Sequence, residues 1–117
     1  MITVLLALAL LPAILFGRDA KEQARIDFLV HGVETVAGVK FIRNGSEYGG
    51  AAAAKHLRMK LNYGGERLKT AEDFVKYCAT ESSLTHRAYK IREADGTTTE
   101  AAKYFTAKLR EFDAEKR

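Results

Sequence analysis

The stretch Val39-Lys40-Phe41-Ile42-Arg43-Asn44-Gly45 decides how this chain is read. Val39 and Phe41 fall on one side of an extended segment and Lys40 on the other, the period-two pattern of a strand over Val39–Arg43. Asn44-Gly45 then reads as a turn. A second alternation covers Ala88–Arg92, with Tyr89 and Ile91 on one side and Lys90 and Arg92 on the other. Outside these segments the apolar spacing is helical.

Ahead of the first strand, Ile26, Leu29, Val30, Val33 and Val36 recur at steps of three and four, predicting a helix over Asp19–Ala37 that Gly38 ends. After Ser46, the spacing of Ala53, Leu57 and Leu61 predicts a second helix over Glu47–Asn62 with Ser46 as its cap, closed by Gly64-Gly65. The alanines Ala51–Ala54 form a small-residue surface that lets a neighbouring element approach. Thr70 with Asp73 resembles a capping box for a third helix carrying Phe74, Val75 and Cys78. Asp95-Gly96 reads as a turn, and Thr97 with Glu100 as the box opening a fourth helix striped by Ala101, Phe105, Leu109 and Phe112.

The expectation is an α+β fold: four helices packed on a short two-stranded antiparallel ribbon made of 39–43 and 88–92. An isolated ribbon of two strands is marginal in water, so the helices must cover it. Phe41, Phe74, Tyr89 and Phe105 are the expected centre of the core.

Charge divides the chain sharply. All nineteen Lys and Arg and all fifteen Asp and Glu lie after Gly17, and Met1–Gly17 has no charged side chain. Ile2–Phe16 therefore reads as the apolar region of a signal peptide, broken by Pro12 and cut after Gly17, leaving 18–117 as a single small domain. The competing reading, an uncleaved anchor, sits at the short end of the roughly 17–25 residues needed to span a bilayer. The expected location is the periplasm, with no stable membrane insertion after cleavage.

One cysteine, Cys78, excludes an internal disulfide and a cysteine-rich zinc site, and His31, His56 and His86 have no ligand spacing. No metal and no cofactor are expected. Cys78 lies on an apolar helix face and reads as a buried thiol of low reactivity. A net charge of +4 favours anionic partners only weakly. Lys55, Arg58, Lys60, Arg67 and Lys69 form the most basic segment, read as a solvated face. Nucleic acid is not expected, because no aromatic residues interleave with these cations.

Candidate binding residues cluster at Arg43, Asn44, Gly45, Ser46 and Tyr48, where a strand gives way to a helix and backbone N–H groups with Arg43 suit an anion. Turn and cap chemistry explains the same residues without a ligand. His56, flanked by Lys55 and Arg58, offers a general base if Ser82 or Ser83 folds against it, and Glu47 is a further acid-base group. There is no G-x-S-x-G elbow, so a partly buried structural histidine explains His56 equally, and no catalytic residue is assigned.

The ordered set Phe41-Ile42-Arg43-Asn44-Gly45, His56-Leu57-Arg58-x-Lys60-Leu61, Thr70-Ala71-Glu72-x-Phe74, Ser82-Ser83 and Tyr89 resembles the YfeK-like family of small exported proteobacterial proteins of unknown function. Gly49-Gly50 and Thr85-His86-Arg87 depart from that pattern. The resemblance implies a Gram-negative periplasmic protein and brings no catalytic residue. The expected function is a non-enzymatic binding or interaction module of the cell envelope, with an envelope protein or an anionic ligand as partner. A small envelope hydrolase, or a regulator of one, using His56 with Ser82 or Ser83 is the alternative.

Overall fold

The computed structural model describes residues 18–116, so the expected leader lies outside the described residues. Helix α1 spans Ala20–Thr35, and its N-cap Asp19 accepts a hydrogen bond from the Glu22 amide at 2.9 Å. Strand β1 (Lys40–Arg43) turns at Asn44-Gly45 into β2 (Ser46–Tyr48), and helix α2 follows over Gly50–Gly64. A short 3-10 turn, Gly65–Arg67, leads to α3 (Ala71–Cys78). Strands β3 (Lys90–Arg92) and β4 (Thr98–Glu100) precede α4 (Ala101–Glu115).

The strands form one four-stranded antiparallel sheet in the order β2-β1-β3-β4. The two segments expected to pair do so, with Phe41 opposite Ile91. The two-stranded ribbon is nevertheless incomplete, because each inner strand carries an outer partner. Asn44 and Gly45 both have positive φ, 50° and 81°, the conformation of a tight hairpin turn that sends the chain back along β1. Ser46 therefore lies in β2 opposite Arg43 and caps nothing; α2 starts at Gly50, with Gly49 as a cap lacking a side-chain bond.

The expected box at Thr97 and Glu100 fails in the same way. Thr98–Glu100 is β4, and the Ala101 amide opening α4 donates instead to the Tyr89 carbonyl at 2.8 Å. The first helix also stops two residues short of Ala37, leaving Val36 in extended backbone and exposed. The box at Thr70 and Asp73 is present in both directions: the Asp73 amide donates to the Thr70 hydroxyl at 3.0 Å, and the Thr70 amide to the Asp73 carboxylate at 3.1 Å.

One face of the sheet meets the helices. Phe41 and Ile91 of the strands and Tyr89 just ahead of β3 are buried, with Ile26, Leu57, Phe74 and Phe105 from the four helices, so all four residues expected at the centre are in the core. Phe41 and Tyr89 tilt against each other with ring centroids 4.9 Å apart. The opposite sheet face is polar, and Arg92 of β3 pairs there with Glu47 of β2.

Helix α2 packs on α1, with Ala53 and Ala54 buried while Ala51 and Ala52 stay exposed. The tightest approach is at Gly50. A Cβ there would lie 3.0 Å from the Glu34 carbonyl oxygen and closer still to that of Val33, both backbone atoms that cannot swing aside. Gly50→Ala is expected to lower unfolding stability by about 1–3 kcal/mol, read from the urea midpoint, despite the higher helix propensity of alanine. An unchanged midpoint would mean that the two helices separate without cost.

A buried ionic knot joins three helices. Arg25 of α1 is only 7% exposed, and its guanidinium donates to Glu72 of α3 at 2.8 and 2.7 Å and to Asp113 of α4 at 3.1 and 3.0 Å. It also reaches Glu22 at 2.8 Å, whose carboxylate accepts the Ala71 amide at 2.9 Å at the start of α3.

Candidate functional site

The hairpin lifts Arg43 and Tyr48 toward the middle of α2. Arg43 donates to the Tyr48 hydroxyl at 3.1 Å, and its guanidinium carbon lies 5.0 Å from the Tyr48 ring centroid. Together with Ala52, Ala53, Lys55, His56 and Met59 of α2, and with Phe41 below, they enclose a cavity of about 380 Å³. Its walls are mainly apolar, and its charged groups are all basic.

His56 is half-buried. Its Nε2 lies 3.3 Å from the Tyr89 hydroxyl, which also accepts from the Lys60 ammonium at 3.2 Å. Burial pushes the His56 pKa below the ordinary histidine value, and the charges of Arg43 and then Lys60 push the same way, so the neutral ring is favoured. Because Lys60 has only protons to donate, the arrangement that satisfies all three groups has the Tyr89 hydroxyl donating to a neutral Nε2, with the imidazole proton on Nδ1.

A second hollow of about 580 Å³ lies between α2, α3 and the loop after α3, with Met59 in both rims. Lys60, Tyr63, Arg67, Tyr77 and Ser83 contribute to it, over the buried Cys78. Burial raises the Cys78 pKa above the usual thiol range, as expected of an unreactive thiol.

Among the expected binding residues, Arg43, Tyr48 and His56 therefore converge on one cavity. Asn44 faces the other way: its Nδ2 donates to the Ser82 hydroxyl at 3.4 Å and its Oδ1 accepts from the Thr85 hydroxyl at 2.6 Å. Ser82 is buried, and its oxygen also accepts the amides of Leu84 at 3.3 Å and Thr85 at 3.4 Å, a turn-forming role. Gly45 makes the hairpin turn and Ser46 is exposed on β2. Arg58 points away and forms two bonds, 2.9 and 3.1 Å, with Glu34 of α1. Ser83 belongs to the second hollow. Among the described residues, His56 thus shares neither a hydrogen bond nor a cavity with Ser82 or Ser83.

Lys55 and Met59 joined the site unexpectedly, since the basic residues of α2 were read as a solvated face. The signal was there: Ala52, Lys55, His56 and Met59 fall at the three- and four-residue steps that share one helix face. The other histidines sit beside acids, His86 at 2.7 Å from Glu81 and His31 at 3.8 Å from Glu34. Among the described residues there is no group of three or more His, Cys, Asp or Glu able to hold a metal ion, and no helix is long and apolar enough to cross a membrane.

Comparison with known proteins agrees with the resemblance carried by these motifs. The chain is 35% identical over 71 residues to the uncharacterized protein YfeK of Salmonella typhimurium strain LT2, covering 61% of this chain and 59% of that protein. The chain thus aligns with about three fifths of that relative's length. No solved structure matches. The model of a family of unknown function, DUF5329, matches residues 20–113, and the chain belongs to that family.

Proposed function

We propose that this protein is a non-enzymatic binding module of the bacterial cell envelope, exported to the periplasm, whose ligand is an anion with an apolar body seated between the hairpin and α2. The uncharged stretch Met1–Gly17 ahead of a charged domain supports export. The observation that carries the binding reading is the composition of the cavity: Phe41, Ala52, Ala53 and Met59 supply apolar wall, Arg43, Lys55 and His56 supply donors, and no Asp or Glu lines it. Neither Arg43 nor Lys55 has an ion-pair partner among the described residues. Leaving cations unpaired around an apolar hollow favours a ligand that brings the opposite charge.

The proton on His56 supplies the test. In the free protein its pKa is depressed, so it is neutral just below the pH at which an ordinary histidine protonates. A bound anion offsets the fields of Arg43 and Lys60 and raises that pKa, so binding takes up a proton and tightens as pH falls from about 7.5 to about 5.5. Anilinonaphthalene sulfonate is a suitable probe, since its sulfonate stays charged throughout this range and its rings are apolar. Fluorescence titration is expected to show one site whose affinity rises with acidity, a rise that His56→Gln flattens. Arg43→Ala is expected to weaken binding about tenfold. Affinity that ignores both substitutions would defeat the assignment of this cavity.

A further inference from the structure

The second hollow has a different character. Of the large apolar side chains left exposed among the described residues, Met59 (59%), Tyr63 (86%) and Tyr77 (59%) all line it. Leu84 (91%) follows Ser83 of its rim directly in the chain. Isolated exposed apolar residues need no explanation, but a group gathered around one concave surface marks a site of association. Lys60 and Arg67 stand on the same rim, neither of them in an ion pair among the described residues, and no Asp or Glu lines the hollow. By contrast, the hollows around Arg25 are walled in part by Glu72 and Asp113.

We propose that this face docks an acidic, extended segment of a partner protein, with aromatic or aliphatic side chains set among Met59, Tyr63 and Tyr77 and carboxylates against Lys60 and Arg67. Tyrosines that keep an apolar ring and a polar tip at the surface, beside an arginine, are the residue types that anchor protein interfaces. Charge complementarity selects the acidic partner. An anionic membrane surface fits less well, since it rewards many cations on one plane and this rim offers Lys60 and Arg67 around a hollow of about 580 Å³. A second copy fits less well too. The acidic run Glu111–Glu115 has its apolar member Phe112 packed on Phe28, ring centroids 4.7 Å apart, and its Asp113 held by Arg25. The surface shares Met59 with the rim of the Arg43 and His56 cavity, but Tyr63, Tyr77 and Arg67 line this hollow and not that one, so substitutions there test this inference apart from the small-ligand reading.

The test is a display library of random decapeptides selected on the purified protein. The expected result is enrichment of sequences that combine Asp or Glu with Phe, Tyr, Trp or Leu. A synthetic peptide of the enriched sequence should bind in fluorescence anisotropy with an affinity that weakens as salt rises. Tyr77→Ala and Tyr63→Ala are each expected to weaken it about tenfold or more, and Arg67→Glu likewise. Tyr63, Tyr77 and Arg67 are exposed, so circular dichroism should show these variants folded. Arg43→Ala, which disables the other cavity, should leave peptide affinity unchanged. The proposal is overturned by no enrichment, by enrichment of basic or uncharged sequences, or by peptide binding that survives the tyrosine changes. Binding to phosphatidylglycerol vesicles in place of peptide, or concentration-dependent dimers in sedimentation that Tyr77→Ala abolishes, would assign the surface to those occupants instead.

Discussion

Arg25→Ala is expected to cost about 3 kcal/mol of unfolding stability at neutral pH, because it breaks the ion pairs of a nearly buried cation. Among the described residues Arg25 alone makes ion pairs with Glu22, Glu72 and Asp113, and its removal leaves three carboxylates gathered around the place of a nearly buried cation. Glu72 and Asp113 keep 65% and 44% of their side chains in solvent, which holds the cost at the low end of what breaking a buried ion pair brings. The pH dependence is diagnostic. In the intact protein, Arg25 holds the Glu72 carboxyl below the usual range, so this stabilisation is complete above about pH 4.5 and is lost as pH falls through the depressed value. In the variant, the Glu72 carboxyl has lost the partner that lowered it, so its protonation no longer removes that support. The difference between the two proteins in urea unfolding should therefore shrink from pH 7 toward about pH 3, and moderate salt should shrink it at neutral pH. A difference that stays constant with pH would show that packing of the arginine stem, not its charge, carries the effect.

The knot also marks the limit of what was legible in the sequence. Thr70 with Asp73, the Asn44-Gly45 turn and the apolar stripes of the helices are local signals, set by residues at most four apart, and the structure realises them except at Val36, which lies past the end of α1 and is exposed. Arg25 meets its partners across 47 and 88 residues of chain, and nothing near position 25 distinguishes it from a solvated arginine. Strands β2 and β4 were hidden for a related reason. Ser46-Glu47-Tyr48 and Thr98-Thr99-Glu100 lie at sheet edges, are polar, and run almost directly into helices. Their residue types match helix starts, and only pairing with β1 and β3 makes them strands. Ser46 and Thr97 thus misled as caps because serine and threonine serve both turns and helix ends.

The candidate site was legible in the same uneven way. Arg43 and Tyr48 were identified for a strand-to-helix junction, yet they meet through a hairpin; their five-residue separation brings them together only because β1 and β2 pair back on each other. His56 pairs with neither serine considered for it. Tyr89, read from the alternation of 88–92 purely as a core residue, supplies the hydroxyl instead.

Tyr89→Ala is expected to lose about 3–5 kcal/mol, because the ring is almost fully buried, packs on Phe41 and leaves a void that the sheet and α2 cannot close. Tyr89→Phe keeps the ring and removes only the hydroxyl, and should cost about 1 kcal/mol, since Lys60 retains the Glu81 carbonyl at 3.3 Å and His56 remains half in water. The contrast between the two variants separates packing from polar anchoring. It also reads the direction of the hydrogen bond at the cavity floor. If the phenol donates to neutral Nε2, the arrangement that leaves Lys60 donating to the phenol oxygen, its loss removes support for the neutral ring, and the His56 pKa measured by NMR should move upward toward the ordinary value. Burial, Arg43 and Lys60 still depress it, so the move is partial. A His56 titration unchanged in Tyr89→Phe would mean that the ring is tuned by burial and cationic neighbours alone. The proton-linked affinity expected of the cavity would then depend on α2 and Arg43, with no chemical tie between the site and the core beneath it.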